Sequence, residues 1–207
     1  MAKSNPAVKS PFSLAAQSPL GGHQTIADGA SLIEITDLSI VSVAPLMGGE
    51  KSFKSAIAKL FNAGTPSATM ALERSGKGSC FFMPSAYGQW FLVFDDVKRD
   101  PLDEAMGLFG KAATTHLSMT DQSDSWAVME LCGLEARQTL ERICPIDCSA
   151  GAMPVGTTAR TMMEHLGVII TRRPNTDDGE PCFWLFSARS SATSFLHAIT
   201  ASPPFNR

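Results

Sequence analysis

The densest group of reactive side chains is Cys144-Pro145-Ile146-Asp147-Cys148. Two thiols this close invite a zinc reading. Tetrahedral zinc needs four ligands, however, and no second Cys/His pair with metal spacing follows; His165 is the nearest histidine and stands alone. A reactive thiol is disfavoured on similar grounds. Cys144 follows a segment patterned as a helix, and the negative end of the helix dipole opposes thiolate. His116, His165 and His197 are scattered, with no nucleophile or acid at a recognisable spacing. Gly133-Leu134-Glu135-Ala136 follows a strand and opens a helix, where backbone N–H groups can take a phosphate. With no Gly-x-Gly-x-x-Gly and no Walker loop in the chain, a tight turn explains it better. Asp121-Gln122-Ser123 could hold a ligand at a loop tip, but Asp and Ser in such places mostly bond nearby amides and fix the turn. Arg160 either pairs with Asp147 or reaches a partner subunit. These residues supply no catalytic, cofactor-binding or metal-binding set, and none is assigned.

Composition narrows the class. A net charge of −3 and the lack of any Lys/Arg run argue against a nucleic-acid surface. No apolar run approaches the roughly 20 residues needed to span a bilayer. Residues 1–22 mix Lys, Ser, Pro and Gly without the apolar centre of a secretory signal, so residues 1–30 read as an extended arm and the expected location is the cytoplasm. Five cysteines are an odd count with sparse spacing, which speaks against a disulfide framework; Cys80 and Cys182 read as small buried hydrophobes within strands. Trp90, Trp126 and Trp184 each fall in a strand and read as core, with one of them a possible subunit anchor.

The elements come in a repeated order. Strand 38–43 leads to a helix over 51–61, where Phe53, Ile57, Leu60 and Phe61 form one apolar stripe. Strands follow over 68–72, 79–83 and 89–94. The last two are near-continuous apolar runs, as expected for strands covered on both faces. Asp100-Pro101 then opens a helix running to Ala113. The second half repeats the series. It has a strand over 125–131, a helix over 134–143 stopped by Pro145, strands over 157–162, 166–171 and 182–187, and a final helix capped by Ser190. The expected fold is α+β: two pseudo-symmetric strand–helix–three strands–helix units, forming one domain over 31–207 with halves at about 31–115 and 116–207. The link around Asp121-Gln122-Ser123 enters strand-like and turns.

Thr120-Asp121-Gln122-Ser123 with Trp126, the Gly133-x-x-Ala136-Arg137 helix opening, Cys144-Pro145-Ile146-Asp147 and Ala159-Arg160-Thr161 occur in an order and spacing that resemble the gamma subunit of heterotetrameric sarcosine oxidase and the equivalent subunit of N-methylglutamate dehydrogenase. The likeness covers about Thr120 to Phe195; Cys148 departs from it, standing where such sequences tend to carry an aliphatic residue. The resemblance implies the fold of the folate-binding domain of aminomethyltransferases. It also implies a non-catalytic structural subunit. Its assembly would oxidatively demethylate sarcosine or a similar N-methyl amino acid, passing the one-carbon unit to tetrahydrofolate or releasing formaldehyde, with hydrogen peroxide formed. The alpha, beta and delta subunits would be its partners, and FAD, FMN, NAD, tetrahydrofolate and zinc would sit on those other subunits. The alternative is a stand-alone folate-dependent, aminomethyltransferase-like enzyme. A free-standing assembly factor on the same fold is a third, which no residue favours.

Overall fold

Strands that are apolar at nearly every position need cover on both faces. The computed structural model, which describes residues 15, 17–63, 67–76, 79–95, 100–110 and 114–206, provides it with two antiparallel sheets stacked face to face and helices on the outer faces. The first half runs β1 (Gln24–Ala27), β2 (Ala30–Ile35), β3 (Leu38–Pro45), α1 (Glu50–Phe61), β4 (Leu72–Arg74), β5 (Cys80–Ala86), β6 (Gln89–Asp95) and α2 (Pro101–Phe109). The second runs β7 (Leu117–Asp121), β8 (Trp126–Cys132), α3 (Ala136–Ile143), β9 (Thr158–Met163), β10 (Leu166–Arg173), β11 (Cys182–Ala188) and α4 (Ala192–Thr200).

One sheet has the order β4-β5-β6-β3-β7, the other β9-β10-β11-β8-β2-β1. The strands of the two units therefore occupy equivalent places, β3 to β6 matching β8 to β11. The strand leading into each unit does not join that unit's sheet. β2 precedes β3 but pairs with β8, and β7 precedes β8 but pairs with β3. Each half completes the other's sheet.

Strand alternation divides the apolar side chains among three layers. Phe81, Met83, Phe91, Val93 and Ile40 of one sheet meet Val128, Ile169, Trp184 and Phe186 of the other between the sheets. Phe82, Leu92, Phe94 and Val41 pack outward on Phe53 and Ile57 of α1 and on Ala105 and Phe109 of α2. Leu131, Val168, Ile170, Phe183 and Leu185 pack outward on Leu140 and Ile143 of α3 and on Phe195 and Ile199 of α4.

Several expectations are corrected in detail. Residues 24–27 are a sheet edge rather than arm, because their backbone pairs with β2; residues 1–14 lie outside the described residues. The stretch before the edge is tied down by Glu34. This carboxylate is 5% exposed and accepts from Leu20 N, Gly22 N, His23 N and Ser18 Oγ. The strand expected over 68–72 begins only at Leu72, because Ser67 Oγ accepts the N–H groups of Thr69 and Met70 and holds a turn there. α2 stops at Phe109 on Gly110, which has φ +73°; the expected continuation at 111–113 lies outside the described residues. Ser190 does not cap α4: Arg189–Ser191 form a single 3-10 turn before it, and Ser191 Oγ donates back to Ala188 O. Finally, Cys132 and Cys182 are joined by a disulfide. They lie directly opposite on β8 and β11, with Cα atoms 4.1 Å apart and a sequence separation of 50, a neighbourhood that sequence spacing does not disclose.

Gly133 shows how tightly the halves are fitted. Its φ is +123°, and a Cβ there would lie 2.3 Å from Gly29 O and 2.7 Å from Ala30 Cα. Both obstacles are backbone, so neither can step aside. Gly133→Ala is expected to cost about 3 kcal/mol or more in urea unfolding. Gly151→Ala, where nothing lies within 4 Å, serves as the control and should shift stability by less than about 0.5 kcal/mol.

Candidate functional site

At one end of the molecule the β5–β6 hairpin passes the edge strand β9 and leaves a cleft of about 840 Å³. Phe53 and Trp90 form its aromatic floor, with ring centroids 4.6 Å apart. Glu50 and Lys54, from the first turns of α1, stand on one wall, and Thr158 and Arg160 of β9 on the other. Gly49 lets α1 start this close: a Cβ there would meet His116 O at 2.3 Å.

Two of the residues lining this cleft carry a buried polar atom without a protein partner: Ser85 Oγ, on a residue 3% exposed, and Trp90 Nε1. A buried polar atom left unpaired costs about 1–3 kcal/mol, so such atoms call for a partner. Arg160 donates from Nη1 to Ser85 O at 3.3 Å, which leaves most of its guanidinium donors open. Tyr87, on the lining, is fully exposed, and Leu46 and Met70, next in sequence to the lining residues Pro45 and Thr69, also carry exposed apolar side chains. The cleft can therefore grip an acceptor-bearing, partly apolar object. Among the described residues its lining holds no histidine or cysteine and no nucleophile–base pair.

Three charged groups elsewhere are committed to structure. Arg173 Nη1 pairs with Glu73 at 2.7 Å, and its guanidinium lies 4.4 Å from the Phe81 ring centroid and 4.1 Å from that of Trp184, between the two sheets. Arg172 donates to Cys182 O at 2.9 Å and binds Arg173 O and Asn175 Oδ1, closing the loop after β10. Glu130 Oε2 accepts from Trp184 Nε1 at 2.8 Å. Glu130 with Cys132 and Cys182 is the one grouping with metal-ligand proximity among the described residues, but the two sulfurs are bonded to each other.

The residues weighed from sequence fall apart in space. His116, just before β7, His165, in the turn between β9 and β10, and His197, on α4, are exposed and far apart in the chain. Asp121 and Ser123 form a structural turn: Asp121 Oδ1 accepts both N–H and Oγ–H of Ser123, at 2.9 and 2.7 Å. No ion pair joins Arg160 to Asp147, whose carboxylate instead accepts Ser149 N at 2.8 Å and is held below the usual range by that bond. Cys144 and Cys148 do come together, with Sγ atoms 3.9 Å apart. The Cys144 thiol is lowered to about 7, chiefly by the hydrogen bond from Cys148. The dipole argument had no means of seeing that bond. The sequence singles out Trp90 only as core or a subunit anchor and Ser85 not at all, since an unpaired atom is a property of neighbours and not of spacing.

No protein-family model matches the chain, and no curated protein matches it. Solved structures do. A chain of the heterotetrameric sarcosine oxidase from Corynebacterium sp. U-96, in complex with pyrrole 2-carboxylate, superposes with a TM-score of 0.70 at 18% identity, over 93% of this chain and 97% of that one. The glycine cleavage system aminomethyltransferase T from Bartonella henselae superposes with a TM-score of 0.58 at 11% identity, over 83% of this chain but 45% of that one. The chain thus has the α+β fold of these proteins and spans less than half of the aminomethyltransferase.

Proposed function

We propose that the chain is a non-catalytic subunit of a sarcosine-oxidase-type complex and that the cleft between the β5–β6 hairpin and β9 receives a segment of a larger partner subunit. The observation that carries this reading is the reciprocal, nearly end-to-end overlap with one chain of a heterotetrameric sarcosine oxidase. The order of the Thr120-Asp121-Gln122-Ser123, Gly133-x-x-Ala136-Arg137 and Cys144-Pro145-Ile146-Asp147 motifs supports it independently. The site agrees in its chemistry. Unpaired donors and an exposed apolar rim suit an interface core, where aromatic and Arg anchors concentrate binding energy. Oxidation of sarcosine or a similar N-methyl amino acid, and the FAD, FMN, NAD, tetrahydrofolate and zinc it draws on, then belong to the alpha, beta and delta partners.

Co-expression with the flavoprotein subunit of such a complex tests the reading. The chain should co-purify, burying more than about 1,000 Å². Purified alone it should show no flavin absorbance and no amine oxidation. A flavin-loaded, active isolated chain overturns the proposal. Micromolar tetrahydrofolate binding by the isolated chain would favour the aminomethyltransferase-like alternative instead.

Two variants localise the contact. Tyr87→Glu should weaken capture at least tenfold while leaving the unfolding midpoint of the isolated chain nearly unchanged, since this lining side chain is fully exposed. Ser85→Ala should act with opposite signs on the two states. The isolated chain loses a buried unpaired hydroxyl and should hold or gain up to about 1 kcal/mol of stability, while affinity for the partner falls.

A further inference from the structure

Beyond the end of α3, Cys144 and Cys148 lie in a stretch that belongs to no helix or strand. Cys144 has extended backbone (φ −109°, ψ 122°), and Pro145 prevents the helix from continuing. The two sulfurs are therefore not held at the fixed spacing of successive helical turns. Cys148 Sγ donates to Cys144 Sγ at 3.9 Å and also approaches Ile146 O at 3.6 Å. A disulfide bond is about 2.05 Å long, so closure requires the sulfurs to approach by only about 2 Å. Both thiols line a cavity of about 310 Å³, together with Arg137, Glu141 and Asp147. Arg137 carries a buried Nε without a partner, and its guanidinium favours negative charge on Cys148.

We propose that Cys144 and Cys148 form a redox-active dithiol, oxidised by a hydroperoxide admitted through this cavity to an intrachain disulfide. Cys144 is the attacking sulfur. Its lowered pKa places a substantial thiolate fraction near neutral pH, against the upward push of burial. Attack on the peroxide O–O bond transfers one oxygen to sulfur, giving Cys144 sulfenic acid and releasing an alcohol, or water where the oxidant is hydrogen peroxide. Cys148 sulfur then displaces hydroxide, which leaves as water with the Cys148 proton. In sum, two thiols lose two electrons and two protons and the peroxide is reduced. Cys148, whose thiol is pushed up by its bond to Cys144, is the resolving partner. The remaining cysteines are set apart. Burial pushes the Cys80 thiol up to about 12, and Cys132 and Cys182 are already joined.

The experiment uses the full chain, purified without reductant, exposed to stoichiometric hydrogen peroxide at neutral pH, then denatured and alkylated. The expected result is loss of alkylation at both Cys144 and Cys148, with Cys80 still labelled and the peptide bearing the pair lighter by about 2 Da. Cys148→Ser should stop the reaction at a Cys144 sulfenic acid that dimedone traps, and Cys80→Ser should change nothing. The native Cys144 alkylation rate should rise with pH to a half-maximum near 7, because thiolate, the reacting form, accumulates above that value. Retention of both thiols under tenfold excess peroxide, or consumption of Cys80 as fast as Cys144, overturns the proposal. Neither outcome bears on the subunit reading, which rests on the cleft and the shared fold.

Discussion

The structure depends on one crossing point. Where β7 turns into β8, Gln122 N donates to Ile40 O at 2.7 Å, and Ile40 N donates to Ser123 Oγ at 3.0 Å. Ile40 belongs to β3, in the other half of the sequence, and its side chain is buried between the sheets. Asp121 fixes the Ser123 hydroxyl that accepts the second bond. The turn therefore both reverses the chain and secures the place where the leading strands exchange. Because β2 completes the sheet of the second unit and β7 that of the first, neither half retains all its backbone pairing without the other. Two units of this size folding separately would each expose an unpaired edge and one apolar sheet face. The exchange pairs the edges of β3 and β8 and joins the two sheets, at the expense of contacts far apart in sequence, which slow folding.

The same architecture explains why so few polar groups are left for chemistry. With both sheets covered on both faces, a charged side chain in the interior must be hydrogen-bonded or stacked. Arg173 satisfies this between Phe81 and Trp184 with Glu73 at its tip, and Arg172 by closing its loop. Glu34 accepts four donors from the stretch before β1. A change in the charge of any of these groups would leave its hydrogen-bond or ion-pair partners unmatched. Among the described residues the buried side-chain polar atoms without partners are few, and two of them belong to residues of the same cleft.

Much of the fold was legible because each strand and helix is locally consistent. The Phe53-Ile57-Leu60-Phe61 stripe, the Asp100-Pro101 start and the continuous apolar runs of β5, β6, β10 and β11 all name their elements without help from neighbours. Asp100 Oδ1 does accept Leu102 N, as its position implies. The repeat of element order was legible for the same reason. The strand exchange was not, since Ala30–Ile35 has the same alternation whichever sheet it joins. Nor was β1, whose Gln24–Ala27 is half exposed and gains its form only from β2. The two sulfur pairs divide along the same line. Cys144 and Cys148 are near in sequence, so their proximity could be asked about, although the effect of their mutual hydrogen bond could not. Cys132 and Cys182 meet only because β8 and β11 are neighbours.

The cleft marks the limit of this legibility most clearly. Pro84 and Ser85 fall between the strands expected over 79–83 and 89–94, Trp90 reads as core or a subunit anchor, and Arg160 as half of an ion pair or a partner contact; the structure instead carries β5 on to Ala86. What makes them a site is the way the hairpin overruns the end of the opposite sheet, leaving Ser85 Oγ and Trp90 Nε1 inside but unanswered. A fold optimised for its own stability would place an acceptor there or replace both groups with apolar ones, since either change relieves a desolvation cost. Tyr87, on the same hairpin, is fully exposed, so the cleft presents an open aromatic surface next to residues whose buried polar atoms are unmatched, a combination that a stable, self-contained fold has no reason to keep.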